Sequence, residues 1–385
     1  MRPSRRRARA LGDAILRPLL LPAGVVLVGV ALGSGLPMDD LVGESAYTYL
    51  TGLLLAIGLY GSVNGISRPQ ARADLGRIVV AISFGVLLKA VLVGAVLALA
   101  FRGEHEYLVL AVAMAQIDPL SVSAVLDRRD MSERAKALLA AWASFDDPVT
   151  TILVAYATAL LLDDGASVGA GTAAYGETLL LNAALLLAAA LIWRALRSAS
   201  SPIPADDAAH AGTTANRLRV GALLALIAVA AWQFLMFGLA LAALFFRPYL
   251  ARWIPRATTG AMLTATLLLG MLLSQGAHLA VGLVLGAATF AAQIVVATLV
   301  TRGMGTHDRI ALSLSQQNGI TAIILALVLQ PMVPEAVGVI APAIFTVNAL
   351  HATTNALLPL LRPRRTRTAG EDTPQPRVPV PAHHG

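Results

Sequence analysis

Apolar runs long enough to cross a membrane recur along almost the whole chain, and no other feature constrains the fold as strongly. One span needs about 20 predominantly apolar residues. Runs of this kind lie at Pro18–Leu36, Ala46–Val63, Ile78–Phe101, Tyr107–Leu126, Ala137–Leu162, Thr178–Leu196, Val220–Phe246, Ala257–Ser274, Ala277–Val300, Ile310–Leu329 and Ala336–Leu361. Charged residues are only 13% of the 385-residue chain, about half the share usual in a soluble protein. The sequence therefore predicts an all-α polytopic membrane protein.

The charges of the loops alternate in kind, which predicts the topology. Under the positive-inside rule, arginine-rich loops face the cytoplasm. These loops hold Arg68, Arg72 and Arg77, then Arg128, Arg129, Arg134 and Lys136, then the stretch from Arg194 to Arg219, then Arg302 and Arg309. The loops between them are acidic and hold Asp39, Asp40, Glu44, Glu104, Glu106, Asp163, Asp164 and Glu335. We expect a multi-pass protein of the cell (inner) membrane with both termini in the cytoplasm.

Both ends of the chain are predicted to be cytoplasmic extensions of a transmembrane domain at residues 18–361. Residues 1–17 are basic and directly precede an apolar run, which is typical of a cytoplasmic flank rather than of a nucleic-acid-binding arm. Residues 362–385 combine arginines with prolines and are expected to form a short disordered tail. No nucleic acid is expected as a partner.

The run Val220–Phe246 has arginines on both sides, so a single crossing would reverse the sign of every later loop. We therefore expect two short or tilted helices that turn near Trp232 and Gln233, which gives about twelve spans in all. The alternative is one long tilted helix.

Three carboxylates and one ammonium form the charged cluster at membrane depth. Asp118 lies in the fourth span, Asp146 and Asp147 lie in the fifth, and Lys89 lies near the centre of the third. Ionisable groups at this depth are costly unless they are paired or face water, and they usually mark function. Adjacent helical positions are about 100° apart, so Asp146 and Asp147 should have different partners and different roles.

Prolines follow two of these aspartates. Pro119 and Pro148 have no N–H, so each removes a helical hydrogen bond and leaves a carbonyl oxygen near a carboxylate. Carbonyl and carboxylate oxygens on broken helices bind cations in secondary transporters. Because burial favours the protonated carboxyl group and a bound cation favours the carboxylate, one site can hold either a proton or a metal ion.

A second polar break is predicted in the eleventh span, where Gln317, Asn318 and Gly319 interrupt an apolar run. This position is seven spans after Asp118, and an offset of seven reverses orientation. An inverted repeat that matches spans three to five with spans ten to twelve would produce this arrangement. The alternative is that these amides only join neighbouring helices.

Three motifs, in this order, resemble those of the monovalent cation:proton antiporters, the sodium/proton exchanger family. Gln116–Pro119 is similar to the family's Thr-Asp-Pro element in an unwound helix, with Ile117 in place of the threonine. Ala143–Asp147 is similar to the paired motif of the next helix, which is Asn-Asp in electroneutral members and Asp-Asp in electrogenic ones. Ile344–Val347 is similar to part of the family's closing helix.

The resemblance implies a homodimer in which a static interface domain flanks a moving core of broken helices. The core would comprise residues of about 78–162 and 277–361. Asp147 would be the main ion- and proton-binding carboxylate, and Asp118 would share the transported cation with it. Asp146 would be the second carboxylate of the electrogenic class, and Ser144 would support the site.

The chain departs from the family pattern at three positions. Trp142 replaces the glutamate that precedes the pair in Asn-Asp members, Gln293 replaces the basic partner of the tenth helix, and Asn318 replaces the arginine before Gly319. Lys89 is then the candidate salt-bridge partner of Asp146, and the alternative is that it extends into a water-filled funnel. If Asp146 titrates freely, two protons could exchange for one cation; if it stays paired, exchange would be electroneutral.

We expect a transporter that lies in the lipid bilayer and needs no cofactor. Its expected substrates are Na⁺ and H⁺. A K⁺/H⁺ antiporter or a cation:solute symporter on the same plan is the alternative. An intramembrane aspartate protease also needs two aspartates on neighbouring helices, but no glycine adjoins the motif to admit a peptide. A channel is disfavoured because nothing resembles a carbonyl-lined filter.

Several hydroxyl groups near the aspartates are plausible cation ligands that the sequence does not rank. They are Ser121, Ser123, Ser144, Thr150 and Thr151. His278 and His351 could sense pH, although a lone histidine in a helix more often packs through a hydrogen bond.

Overall fold

A computed structural model describes residues 20–64, 75–102, 104–118, 131–162, 168–198, 214–250 and 253–361. All regular secondary structure in these ranges is helical, as the apolar runs predict. Parts of the predicted architecture lie outside the described residues, namely the terminal segments 1–17 and 362–385, Pro119, Ser121, Ser123 and the basic stretches at 65–74 and 199–213.

The described ranges contain fifteen α-helices. In chain order they are α1 (Leu20–Gly33), α2 (Met38–Val42), α3 (Ser45–Asn64), α4 (Leu75–Val80), α5 (Val86–Ala100), α6 (Glu106–Ala113), α7 (Glu133–Leu161), α8 (Val168–Ser198), α9 (Thr214–Gln233), α10 (Met236–Ala243), α11 (Trp253–Leu273), α12 (Leu279–Val300), α13 (Thr306–Ser313), α14 (Ile320–Leu329) and α15 (Ala336–Leu361). A π-helical turn, Ala81–Gly85, joins α4 to α5.

Eight helical elements within the described ranges are long and apolar enough to cross a membrane. They are α3, the continuous α4–α5 element, α7, α8, α9, α11, α12 and α15. Large apolar side chains such as Leu99, Leu180 and Trp232 lie exposed on the outside of the bundle, where lipid rather than water would contact them. The chain is thus a multi-pass α-helical membrane protein, and the expected total of about twelve spans stays a prediction.

The turn predicted near Trp232 and Gln233 is confirmed. Helix α9 ends at Gln233, Phe234 adopts a left-handed conformation with φ of 55°, and α10 begins at Met236. The Leu235 N–H donates to the Ala230 carbonyl oxygen at 2.9 Å, which is the six-to-one bond of a Schellman helix end. The alternative of one long tilted helix is therefore wrong.

Two helices end at non-helical segments that are mostly buried in the bundle. Helix α6 ends at Ala113 and residues 114–118 are not helical, so this break begins before Pro119. Helix α13 ends at Ser313, residues 314–319 are not helical, and α14 begins directly after Gly319. The predicted break at Gly319 is confirmed, although the non-helical stretch starts five residues earlier, at Leu314.

Helix α7 carries both adjacent aspartates and is continuous. The Ser132 side chain caps its first turn by accepting from the Ala135 N–H. Pro148 lies inside the helix and removes one backbone hydrogen bond without ending it. Asp146 and Asp147 are thus fixed on a rigid element.

Helices α12 and α15 pack closely because glycines on α12 face the backbone of α15. A Cβ atom on Gly286 would lie 2.6 Å from the Ala343 carbonyl oxygen and 2.7 Å from Thr346 Cβ. Small residues allow this approach between membrane helices. The contact positions α12 beside the second broken helix.

Replacing Gly286 with Ala should destabilise the protein by about 1–3 kcal/mol, because the added methyl group meets backbone that must move. Gly221→Ala is the matched control, since a Cβ at Gly221 of α9 meets nothing within 4 Å. Thermal unfolding of the purified protein in detergent measures both variants. An equal melting temperature for the two would contradict the close approach.

Candidate ion-binding site

The two non-helical segments cross in the interior of the bundle and pair with each other. The Asp118 N–H donates to the Gln317 carbonyl oxygen at 2.9 Å. The Gln316 side-chain amide donates to the Gln116 carbonyl oxygen at 2.6 Å, and the Asn318 amide lies 3.3 Å from that same oxygen. Unwound backbone is tolerated at membrane depth only when such groups are satisfied within the protein.

Asp147 is fully buried beside this crossing and contacts the first segment and the first turn of α14. Its Oδ2 accepts from the Thr321 hydroxyl at 2.7 Å. In the amide orientation that satisfies both neighbours, Gln116 donates to Asp147 Oδ1 at 2.7 Å and accepts from the Ala322 N–H at 2.9 Å. The buried Asp118 carboxylate is near enough to interact electrostatically with Asp147. Two buried carboxylates thus influence each other beside the paired segments.

Asp146 faces a different set of partners. Its Oδ2 lies 3.1 Å from Lys89 Nζ and also accepts from the Ile117 N–H at 2.9 Å. Lys89 is fully buried, and its ammonium lies 5.8 Å from the centre of the Trp142 ring, within range of a cation–π contact. Of the two positions considered for Lys89, the structure contains the ion pair and not the water-filled funnel.

The remaining predicted residues have other contacts or take part through the backbone. Gln293 is buried on α12, and its amide lies 3.4 Å from the Leu312 carbonyl oxygen. The Ser144 hydroxyl donates to the Ala140 carbonyl oxygen of its own helix at 2.8 Å. Ile117 takes part through its backbone N–H, and Gln317 through its carbonyl oxygen. Gly319 precedes α14, and Pro148 adjoins Asp147 on α7.

Three residues of α15 also form hydrogen bonds with the second segment, residues 314–319. The sequence did not predict this role for them. Asn348 accepts from the Asn318 N–H at 3.2 Å and donates to the Asn318 carbonyl oxygen at 2.8 Å. His351 Nδ1 lies 2.8 Å from the Leu314 carbonyl oxygen, and Asn355 donates to that oxygen at 3.1 Å. The available signal was their spacing, because 348, 351 and 355 lie on one face of a mostly apolar helix.

Several buried oxygens in this region have no hydrogen-bond donor. Within the described part of the chain they include Asp146 Oδ1, Thr150 Oγ1, Gln293 Oε1, Gln316 Oε1 and Gln317 Oε1. An unsatisfied buried polar atom costs about 1–3 kcal/mol. In the same ranges no three His, Cys, Asp or Glu side chains come together as a metal site. A cation held here would therefore depend on amide, hydroxyl and carbonyl oxygens as well as carboxylates.

A cavity of about 800 Å³ lies near the end of α7 that is predicted to face outside. Its walls come from α3, α7, the α9–α10 turn and the end of α14, and include Thr51, Val154, Thr158 and Phe234. At its edge, the hydroxyl of Tyr47 on α3 donates to the Leu327 carbonyl oxygen on α14 at 2.8 Å. Val154 and Thr158 lie two and three turns along α7 from Asp147, so the cavity and the buried carboxylates lie on the same helix.

The ion pair should stabilise the fold as well as the site. Lys89→Met leaves a buried carboxylate unpaired, and we expect a loss of about 3 kcal/mol. Adding Asp146→Asn removes that charge and should recover more than half of the loss. Thermal unfolding in detergent at neutral pH measures the stability of both single variants and of the double variant. If the two losses of stability simply add in the double variant, Lys89 and Asp146 are not coupled.

Two paired non-helical segments beside buried carboxylates occur here in a helical fold that is shared with a cation:proton antiporter. A solved structure with this fold is that of the sodium proton antiporter MjNhaP1 from Methanocaldococcus jannaschii at pH 8. The two chains share 13% sequence identity at a TM-score of 0.62, and the match covers 91% of this chain and 98% of that one. The fold implied by the sequence motifs is thus confirmed.

Comparison at the level of sequence gives no match. No protein-family model matches the chain, and no curated protein sequence matches it. The structural likeness therefore rests on the arrangement of helices.

Proposed function

We propose that this protein is a secondary transporter that exchanges a monovalent cation, Na⁺ in the first instance, for protons across the cell membrane. The observation that carries the proposal is the pair of buried carboxylates, Asp147 and Asp118, at the crossing of two unwound segments. MjNhaP1, whose fold this chain shares, is a sodium proton antiporter. The role is transport rather than catalysis.

Competition between a proton and a cation at Asp147 would drive the exchange. Without a cation, a buried carboxylate without a cationic partner is favoured in its protonated form. A cation held by Asp147 and Asp118 reverses this preference and releases the proton. The donors from Thr321 and Gln116 hold the Asp147 carboxylate in place in both states.

Alternating access would follow from movement of the broken helices against the rest of the bundle. The proposed core comprises residues of about 78–162 and 277–361, and the interface domain of a homodimer would include α3 and α11. The cavity beside Thr158 and Phe234 supports access from outside in the state described. Both termini would be cytoplasmic in the inner membrane, and the physiological role would be Na⁺ and pH homeostasis.

Flux in proteoliposomes loaded with a pH-sensitive dye tests the exchange. Addition of Na⁺ should change the lumenal pH, and Asp147→Asn should abolish the change because amide nitrogen and oxygen cannot exchange a proton for a cation. Asp40→Asn, at an exposed carboxylate of α2, is the matched control. A response to K⁺ alone would favour the K⁺/H⁺ antiporter. No response to either ion would contradict antiport and favour the symporter.

The Lys89–Asp146 pair is proposed to set the stoichiometry. Because Lys89, Trp142 and the Ile117 N–H all surround Asp146, we propose that this carboxylate stays paired and that one cation exchanges for one proton at Asp147. Electroneutral exchange is insensitive to the membrane potential, whereas each net charge moved couples about 2.3 kcal/mol per 100 mV.

The stoichiometry is tested by measuring Na⁺-driven proton flux under imposed potassium-diffusion potentials. Wild-type flux should be independent of potential, and Lys89→Met, which releases Asp146 to titrate, should make it dependent. An unchanged voltage response in Lys89→Met would exclude Lys89 from the stoichiometry.

A further inference from the structure

The Thr150 hydroxyl differs from the other hydroxyl groups around the aspartates. A threonine inside a membrane helix usually bonds to the carbonyl oxygen four residues before it. Thr151 and Thr158 on the same helix do so, with Thr151 donating to the Asp147 carbonyl oxygen at 2.9 Å and Thr158 to that of Val154 at 2.8 Å. Thr150 Oγ1 is completely buried and has no hydrogen-bond partner.

Position 150 places this hydroxyl over both aspartates. It is four residues beyond Asp146 and three beyond Asp147, so on α7 it lies one turn above them, on the face between the two. Val154 is four residues further along that face and lines the cavity. Along α7, Thr150 therefore lies between the residues that line the cavity and the two aspartates.

The other hydroxyls that could serve the site are already bonded. Ser144 donates to the Ala140 carbonyl oxygen, Thr151 to the Asp147 carbonyl oxygen and Thr321 to the Asp147 carboxylate. Among the candidate hydroxyls within the described ranges, Thr150 has an uncommitted oxygen. The structure thus distinguishes Thr150 from the other hydroxyl groups that the sequence offered as cation ligands.

We infer that Thr150 Oγ1 is a direct ligand of the transported cation, together with the Asp147 carboxylate. This inference rests on the proposed function of the same site. A hydroxyl oxygen is a neutral hard donor of the kind that alkali cations bind, and its one hydrogen can rotate away from the ion. The cation would supply the partner that the buried hydroxyl lacks within the protein.

Na⁺-driven flux in proteoliposomes tests the assignment through the half-saturating Na⁺ concentration. Thr150→Val keeps the shape and removes the oxygen, and it should raise this concentration about tenfold, as expected for one lost polar contact to a charged group. Thr150→Ser keeps the oxygen and should stay near wild type. Thr151→Val, at the neighbouring buried hydroxyl that is bonded within its own helix, is the matched control and should change the value little.

Na⁺-dependent thermal stabilisation of the purified variants gives a second readout that needs no flux. The midpoint of this stabilisation should shift in Thr150→Val by the same factor as the half-saturating concentration. A fall in maximal rate at an unchanged midpoint would indicate a packing role and overturn the inference.

The two proposals fail in different ways. If wild-type flux is present and lost in Asp147→Asn, but Thr150→Val leaves the half-saturating concentration unchanged, only the Thr150 assignment is wrong. An equal rise of the half-saturating Na⁺ concentration in Thr151→Val would also overturn the Thr150 assignment. If wild type shows neither flux nor stabilisation by Na⁺ or K⁺, the proposed exchange is wrong and the Thr150 assignment falls with it.

Discussion

The pairing of unwound backbone inside a membrane is the constraint on which the rest of this structure depends. Residues 114–118 and 314–319 leave helical geometry where lipid offers no hydrogen bonds. Each segment supplies partners for the other, and α15 supplies more through Asn348, His351 and Asn355. Gln116 belongs to this crossing and also contacts Asp147. The arrangement that satisfies the backbone thereby gathers the carboxylates.

Adjacent positions on α7 give two aspartates different electrostatic environments. Asp147 lies toward the crossing with neutral donors, and Asp146 lies toward Lys89. Trp142 is one turn before Asp146 on the same face, so its ring and the Asp146 carboxylate both contact the Lys89 ammonium. A tryptophan at this position is therefore compatible with a buried cation nearby.

Local sequence signals predicted the features that have local causes. Gly319 marks the start of α14, and the charges around Val220–Phe246 required the turn that Phe234 makes. The positions of Asp118, Asp146 and Asp147 in apolar runs identified the buried carboxylates. In each case one residue type is either costly in a membrane helix or suited to ending one.

Features that arise from tertiary contacts were not visible in the sequence. The first break begins at Met114 rather than at Pro119. Backbone groups of residues 114–118 form hydrogen bonds with residues 314–319 instead of helical bonds. Gln116 and Asn348 are isolated amides in apolar runs, and such residues equally serve ordinary helix packing. Thr150 and Thr151 have the same chemistry, and only the hydrogen bond to the Asp147 carbonyl oxygen distinguishes them.

The Tyr47 hydroxyl on α3 joins two groups of helices that the proposed transport cycle would separate. Its acceptor is the Leu327 carbonyl oxygen of α14, whereas the bonds of the crossing lie within the group that contains α6, α7 and α13–α15. Sliding the second group past α3 would leave the crossing intact and break the tyrosine bond, at a net cost of about 1 kcal/mol. A cost of that size slows a motion by less than tenfold, so the tyrosine bond can hold the two groups in register without preventing their movement.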